Sequence, residues 1–224
     1  MNSKINLDDG CNPELVQGAT LTSVFQIPCL YPPKEMKIPQ INELVPFDKR
    51  KYVRRKDIYI HFYIYDSLFR EVIKNPYNFI DEFKEYKGII GPDNSLYTNA
   101  IFPSVFVNTY RNRAITYFLQ KNGINVIPNV RWGNITTYSK ICFEEKIAFL
   151  GIPKNSIVSV GSYGTMKNVD DRVNFLMGFE AMIEELTPKV VLIYGSEPKE
   201  ITKKYEKYIK FVIYPNWTKL KHEK

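Results

Sequence analysis

A chain of 224 residues (26.2 kDa), 44% hydrophobic and 14% aromatic, holds enough apolar material for a full core, which excludes a wholly disordered protein. No long run of uncharged apolar residues occurs, so no membrane-spanning helix is expected, and the opening MNSKINLDDGCNPE lacks the apolar stretch of a secretory leader. The three cysteines, Cys11, Cys29 and Cys142, are scattered and odd in number. They suit free thiols in a reducing, cytoplasmic setting better than a disulfide framework or an all-cysteine metal site.

The net charge of +7 is unevenly spread. Residues 34–56 carry eight Lys or Arg against three acids, residues 199–224 carry eight Lys against three, and the body between them is close to neutral. Clustered cations gain affinity for phosphate by releasing counterions. On that reading Lys49, Arg50, Lys51, Arg54, Arg55 and Lys56 are the candidate nucleic-acid contacts. The other reading is a solvated surface kept basic for solubility.

Prolines 28, 32, 33, 39 and 46 forbid a regular helix near the N-terminus, so residues 1–56 are expected to form a Pro-rich and basic arm packed on the body. From residue 57 strands and helices alternate. Strands are expected at 58–65, 87–91, 124–130, 156–160, 190–194 and 210–214, from their β-branched and aromatic content and their turn residues. Helices are expected at 78–86, 110–122 (closed by Gly123), 138–149, from a cap at Asp170 or Asp171 to about 187, and at 198–208. The pattern implies an α/β fold with a mainly parallel sheet of about six strands, open or curled into a partial (β/α) barrel, in a single domain over 57–224. A closed eight-unit barrel takes roughly 250 residues, so full closure is not expected.

Parallel sheets gather their ligands at the carboxyl ends of the strands, and those ends are polar here. They deliver Asp66, Asp93, then Asn129, Arg131 and Trp132, then Ser159, Ser162 and Tyr163, then Tyr194, Ser196 and Glu197, then Asn216 and Trp217. Asp93 and Glu197 are the candidate catalytic carboxylates, suited to general acid–base work. Arg111, Arg113, Asn129, Arg131, Ser162 and Tyr194 are the candidate ligand- or phosphate-binding set. Arg111 and Arg113 would lie in the first turn of the 110–122 helix, against its dipole, where an anion or Asp93 would offset them. Gly161-Ser-Tyr-Gly164 could admit a phosphate to backbone amides, or serve as a plain turn. Two histidines, His61 and His222, supply neither a triad nor a metal centre well, so no metal is assigned. Asp66, Asp93 and Glu197 could make a carboxylate site for magnesium or acid–base work, and the cofactor is unknown at this level.

Four segments carry a family resemblance: Asn108-Thr-Tyr-Arg-Asn-Arg-Ala114, Gln120 through Gly133 (QKNGINVIPNVRWG), Lys154 through Gly164 (KNSIVSVGSYG) and Pro188 through Gly195 (PKVVLIYG). With Asn12-Pro13 and Gly91-Pro-Asp93 they resemble a bacterial and prophage family catalogued as a domain of unknown function, over most of the chain. The resemblance implies a passenger of phages and other mobile elements, and no particular activity. The expectation is a protein that binds or acts on a nucleotide or nucleic acid through a polar pocket at the carboxyl edge of the sheet. The alternatives are a metabolic enzyme on a small anionic substrate and an interaction protein that engages a host or phage partner in defence or counter-defence. Whether it is an enzyme stays open at this level. Asp93, Arg111, Arg113, Asn129 and Arg131 are expected to share one pocket.

Overall fold

The computed structural model describes residues 9–34, 37–166 and 168–222; the side chains of Lys221 and His222 and the residues behind the leader reading (1–8) lie outside the description. Nine strands are found among the described residues: β1 Leu21–Thr22, β2 Ile27–Pro28, β3 Leu44–Pro46, β4 Tyr59–His61, β5 Gly88–Ile90, β6 Val126–Ile127, β7 Ile157–Gly161, β8 Val190–Tyr194 and β9 Lys210–Tyr214. The helices are α1 Arg70–Lys74, α2 Ile80–Lys84, α3 Phe102–Lys121, α4 Ile135–Tyr138, α5 Val169–Leu186, α6 Lys199–Tyr205 and α7 Trp217–His222. No helix among them is long and apolar enough to cross a membrane.

β1 and β2 form a small antiparallel pair. β3 to β6 make a four-stranded parallel sheet and β7 to β9 a three-stranded one, each in chain order. A parallel bridge from Asn129 to Ser159 joins the two, with Val130 N–H donating to Ser159 O at 2.8 Å and Ser159 N–H to Pro128 O at 2.9 Å. The result is the expected α/β fold, a run of sequential parallel strands with no closed barrel.

Side-chain alternation along the strands creates three apolar regions. One face meets inside the curl, where Leu44, Tyr59, Ile90, Ile127, Ile157, Leu192 and Tyr214 form a single cluster, one residue from each strand from β3 to β9. The other face packs outward in two blocks. Ile60, Ile89 and Val126 meet Ile115, Phe118 and Leu119 of α3, and Val158, Val160, Val191 and Ile193 meet Phe175, Phe179, Met182 and Ile183 of α5. β7 and β8 are buried at every position, as strands covered on both faces must be.

Several elements depart from the sequence reading for identifiable reasons. The segment read as an arm supplies β3, paired in parallel with β4, and Tyr214 at the end of β9 donates to Pro39 O at 2.5 Å. Helix α3 starts at Phe102, two turns before the expected start, because Pro103 sits in the first turn where its missing N–H costs nothing. Those added turns are covered by Phe25 on Phe106 and by Phe143 on Phe102. The helix expected over 138–149 does not form. Only α4 and a 3-10 turn at Ile147–Phe149 appear: the backbone turns extended at Ser139, and Arg113 takes the carbonyls of Ala148 and Leu150. Asn168, not Asp170 or Asp171, caps α5 by accepting from Asp171 N–H at 2.8 Å.

Gly178 on α5 shows how tightly the outer layer is set. A Cβ there would lie 2.2 Å from the indole nitrogen of Trp132. In an open helix Gly→Ala stabilises by about 1 kcal/mol. Here Gly178→Ala should destabilise by roughly 1–3 kcal/mol through overpacking. Urea unfolding checks the sign, and a variant more stable than the parent would show that the indole has room to move.

Candidate functional site

The carboxyl ends of the strands border a cleft of about 580 Å³. Tyr63, just past β4, Asp93, just past β5, and Tyr194, which ends β8, lie on its inner side. The 3-10 turn Phe47–Tyr52 after β3 brings Asp48 and Lys49 to the rim, and α7 brings Trp217. Tyr65 and Tyr163 stand at its mouth, both largely exposed.

A hydrogen-bonded chain of buried side chains forms the floor and crosses from one sheet to the other. The Tyr63 hydroxyl donates to Asn129 Oδ1 at 3.1 Å and lies 2.6 Å from the Ser159 hydroxyl. Asn129 Nδ2 donates to Asp93 Oδ1 at 2.8 Å and to Pro92 O at 3.1 Å. Arg131 Nη1 reaches the other Asp93 oxygen at 3.4 Å. The Tyr63 ring stacks on Tyr194 at 5.2 Å and 16°. It can do so because position 161 is glycine; a Cβ there would lie 2.5 Å from the Tyr63 ring. Tyr194 is fixed in turn by accepting the Trp217 N–H at 2.9 Å.

Electrostatics follow from this burial. Asp93 is held above the usual carboxylate range, chiefly because it is cut off from water, although Arg131 and Asn129 pull the other way. The Tyr63 phenol is pushed well up by its burial and by Asp93. His61 sits beneath them, 4.2 Å from the Tyr194 ring, and burial lowers its pKa to about 3. Its Nδ1 accepts from Tyr63 N–H at 3.2 Å, while its buried Nε2 has no partner among the described residues. It is a neutral residue of the interior and not an exposed base.

Of the residues singled out in the sequence, Asp93, Asn129, Arg131 and Tyr194 come together here. Arg111 and Arg113 do not join them, and neither lies in a first helical turn, since α3 begins eight residues before Tyr110. Arg111 donates to Asp9 O at 2.6 Å and to Asn108. Arg113 is buried and donates to Leu150 O, Ala148 O and Asn129 O, and loss of water lowers its pKa to about 9. It braces the backbone behind the site. Ser162 is buried beside the cleft and donates to Ser196 O at 2.7 Å, which ties the turn after β7 to the one after β8. Glu197 is exposed and accepts from the Thr202 hydroxyl at the start of α6, away from the cleft. Asp66 holds the loop after β5 through Ser95 N–H and its hydroxyl, at 3.0 and 2.9 Å.

The basic stretch after β3 is largely neutralised by its neighbours. Lys49 pairs with Asp48, Arg55 with Asp57 and Lys56 with Glu85. Arg50 is buried on Glu82 and over the Phe47 ring. Lys51 and Arg54 are exposed, with no ion pair among the described residues. Among those residues, too, no group of three or more His, Cys, Asp or Glu side chains could hold a metal ion. Tyr63 and Asp48 were missed in the sequence; the period-two count from Tyr59 through His61 to Tyr63 is the signal that places Tyr63 inside.

The fold and cleft define a class: an open α/β protein of sequential parallel strands with a polar and aromatic cleft at their carboxyl ends. The chain belongs to the family described as a domain of unknown function, DUF4417, which matches residues 19–214. It is 30% identical over 146 residues to the Gene 1 protein of Mycobacterium phage L5, a match covering 65% of this chain and 61% of the phage protein. The Gene 1 protein of Mycobacterium phage D29 is 26% identical over 146 residues, covering 65% of this chain and 52% of its own. The matched region thus spans about half to three-fifths of these relatives. No solved structure is significantly similar.

The raised Asp93 carboxyl has a signed consequence. Between the ordinary carboxylate value and its higher folded value, the folded chain keeps a proton that the unfolded chain has lost, so this group makes stability fall as pH rises through that window. Asp93→Asn removes the effect. The melting temperature of the variant relative to the parent should rise from pH 4 to pH 7; a difference independent of pH would show that Asp93 is not strained.

Proposed function

We propose that the cleft binds a nucleotide, with the base between its aromatic walls and the phosphate on Arg131. The observation that carries this reading is the state of Arg131. One arm makes a long contact with Asp93, and its Nε and Nη2 have no hydrogen-bond partner among the described residues while the side chain borders the cleft. A guanidinium presents a planar fork to phosphate oxygens and keeps its charge at any working pH. Lys49 is held by Asp48 at 2.7 Å, closer than the 3.4 Å between Arg131 and Asp93, which favours Arg131 as the phosphate ligand. Tyr65, Tyr163 and Trp217 offer ring faces on which a base can stack, and Asp93 offers carboxylate oxygens to a base or ribose donor. Phage-encoded relatives suit a protein that handles nucleotides, and the basic stretch plays no necessary part.

Calorimetric titration with nucleoside monophosphates and with sugar phosphates of the same charge tests this. Nucleotides should bind, and Arg131→Lys should weaken them roughly ten- to hundredfold, because the charge stays and the fork is lost. Binding of sugar phosphates as tight as that of nucleotides would favour a small-anion enzyme instead. No binding by either would overturn the reading.

A further inference from the structure

A second cavity of about 250 Å³ opens beside the cleft, between the end of β6 and the first turns of α5. Arg131, Gly161 and Gly164 border both spaces. The two are therefore lobes of one groove, with a guanidinium and a glycine-flanked turn at its waist. Gly164 has φ +78° and no side chain, so a ligand can pass close over the backbone there.

The lobes differ in chemistry. The larger carries the exposed tyrosines and Trp217. The smaller has an apolar base of Val130, Trp132, Val160 and Phe175, and a polar rim that includes Asp171. Asp171 Oδ2 is held by Asn168 Nδ2 at 2.9 Å, and its second oxygen has no hydrogen bond among the described residues. A carboxylate at this rim repels phosphate and accepts hydroxyl groups, while the apolar side chains beneath suit the less polar face of a sugar. Phosphate charge is thereby directed to Arg131 at the waist, with a nucleoside on one side and a neutral polyol on the other.

We propose that the groove takes a nucleoside diphosphate joined to a sugar, with the diphosphate spanning Arg131 and the Gly161–Gly164 turn and the sugar in the smaller lobe. This rests on the nucleotide reading and names its substrate class. A diphosphate bridge carries a group at each end, one for each lobe, whereas a monophosphate would leave the smaller lobe empty.

Calorimetry with AMP, UMP, ADP-ribose and UDP-glucose tests it. At least one of the two diphosphate sugars should bind about tenfold or more tighter than the monophosphate of its own base, as expected when a second lobe is filled. Thr98→Trp, at the mouth of the smaller lobe, should shrink that ratio towards one. Equal affinities in the parent protein, or a ratio untouched by a folded Thr98→Trp variant, would overturn the two-lobed proposal while monophosphate binding left the nucleotide reading standing. If none of the four ligands binds, both fall.

Discussion

Asn129 and Ser159 pair across the seam where the four-stranded sheet meets the three-stranded one, in a single parallel bridge flanked by two backbone hydrogen bonds. So short a junction needs side chains to hold it. The Tyr63 hydroxyl supplies them with a third member, bonding Asn129 and lying against Ser159. Asn129 then passes the order on to Asp93, and Asp93 to Arg131. Each group is satisfied by the next, which is what permits polar side chains in a low-dielectric interior. The same chain that closes the seam forms the floor of the cleft.

The arrangement carries a cost in stability that the rest of the fold offsets. Asp93 is cut off from water, which raises its pKa, and His61 is held neutral below it. Arg113 is buried on three carbonyls without a carboxylate partner among the described residues. Against these stand three apolar clusters, one inside the curl and two under the long helices. Buried polar and ionisable groups thus gather beside the cleft, with close apolar packing elsewhere.

The sequence announced the second sheet well. Val190–Tyr194 and residues 210–214 are unbroken apolar or alternating runs, and their strands fall where expected. It announced the first sheet less well, because β3 to β6 are two or three residues long and so short a strand has no period to read. β3 was hidden among prolines and stood outside the expected body. Asp93, Asn129, Arg131 and Tyr194, each named from a strand end, lie together at the cleft and its floor. Arg111 and Arg113 were misplaced by a late helix start: the helix was expected from residue 110, whereas it opens at Phe102 with Pro103 in its first turn. Helix phase then sent Arg113 into the core and Arg111 to the N-terminal segment, contacts at long sequence separation that no local pattern contains. The basic run after β3 looked like a phosphate surface because charge counts do not show which carboxylates stand opposite.

The cleft floor depends on the seam chain acting as one unit. A double-mutant cycle of Tyr63→Phe and Ser159→Ala, read by urea unfolding, measures that directly. Coupled hydroxyls should give an interaction energy of about 1 kcal/mol or more. Additivity within about 0.3 kcal/mol would mean that the two groups act independently and that the cleft floor does not hold the sheets together.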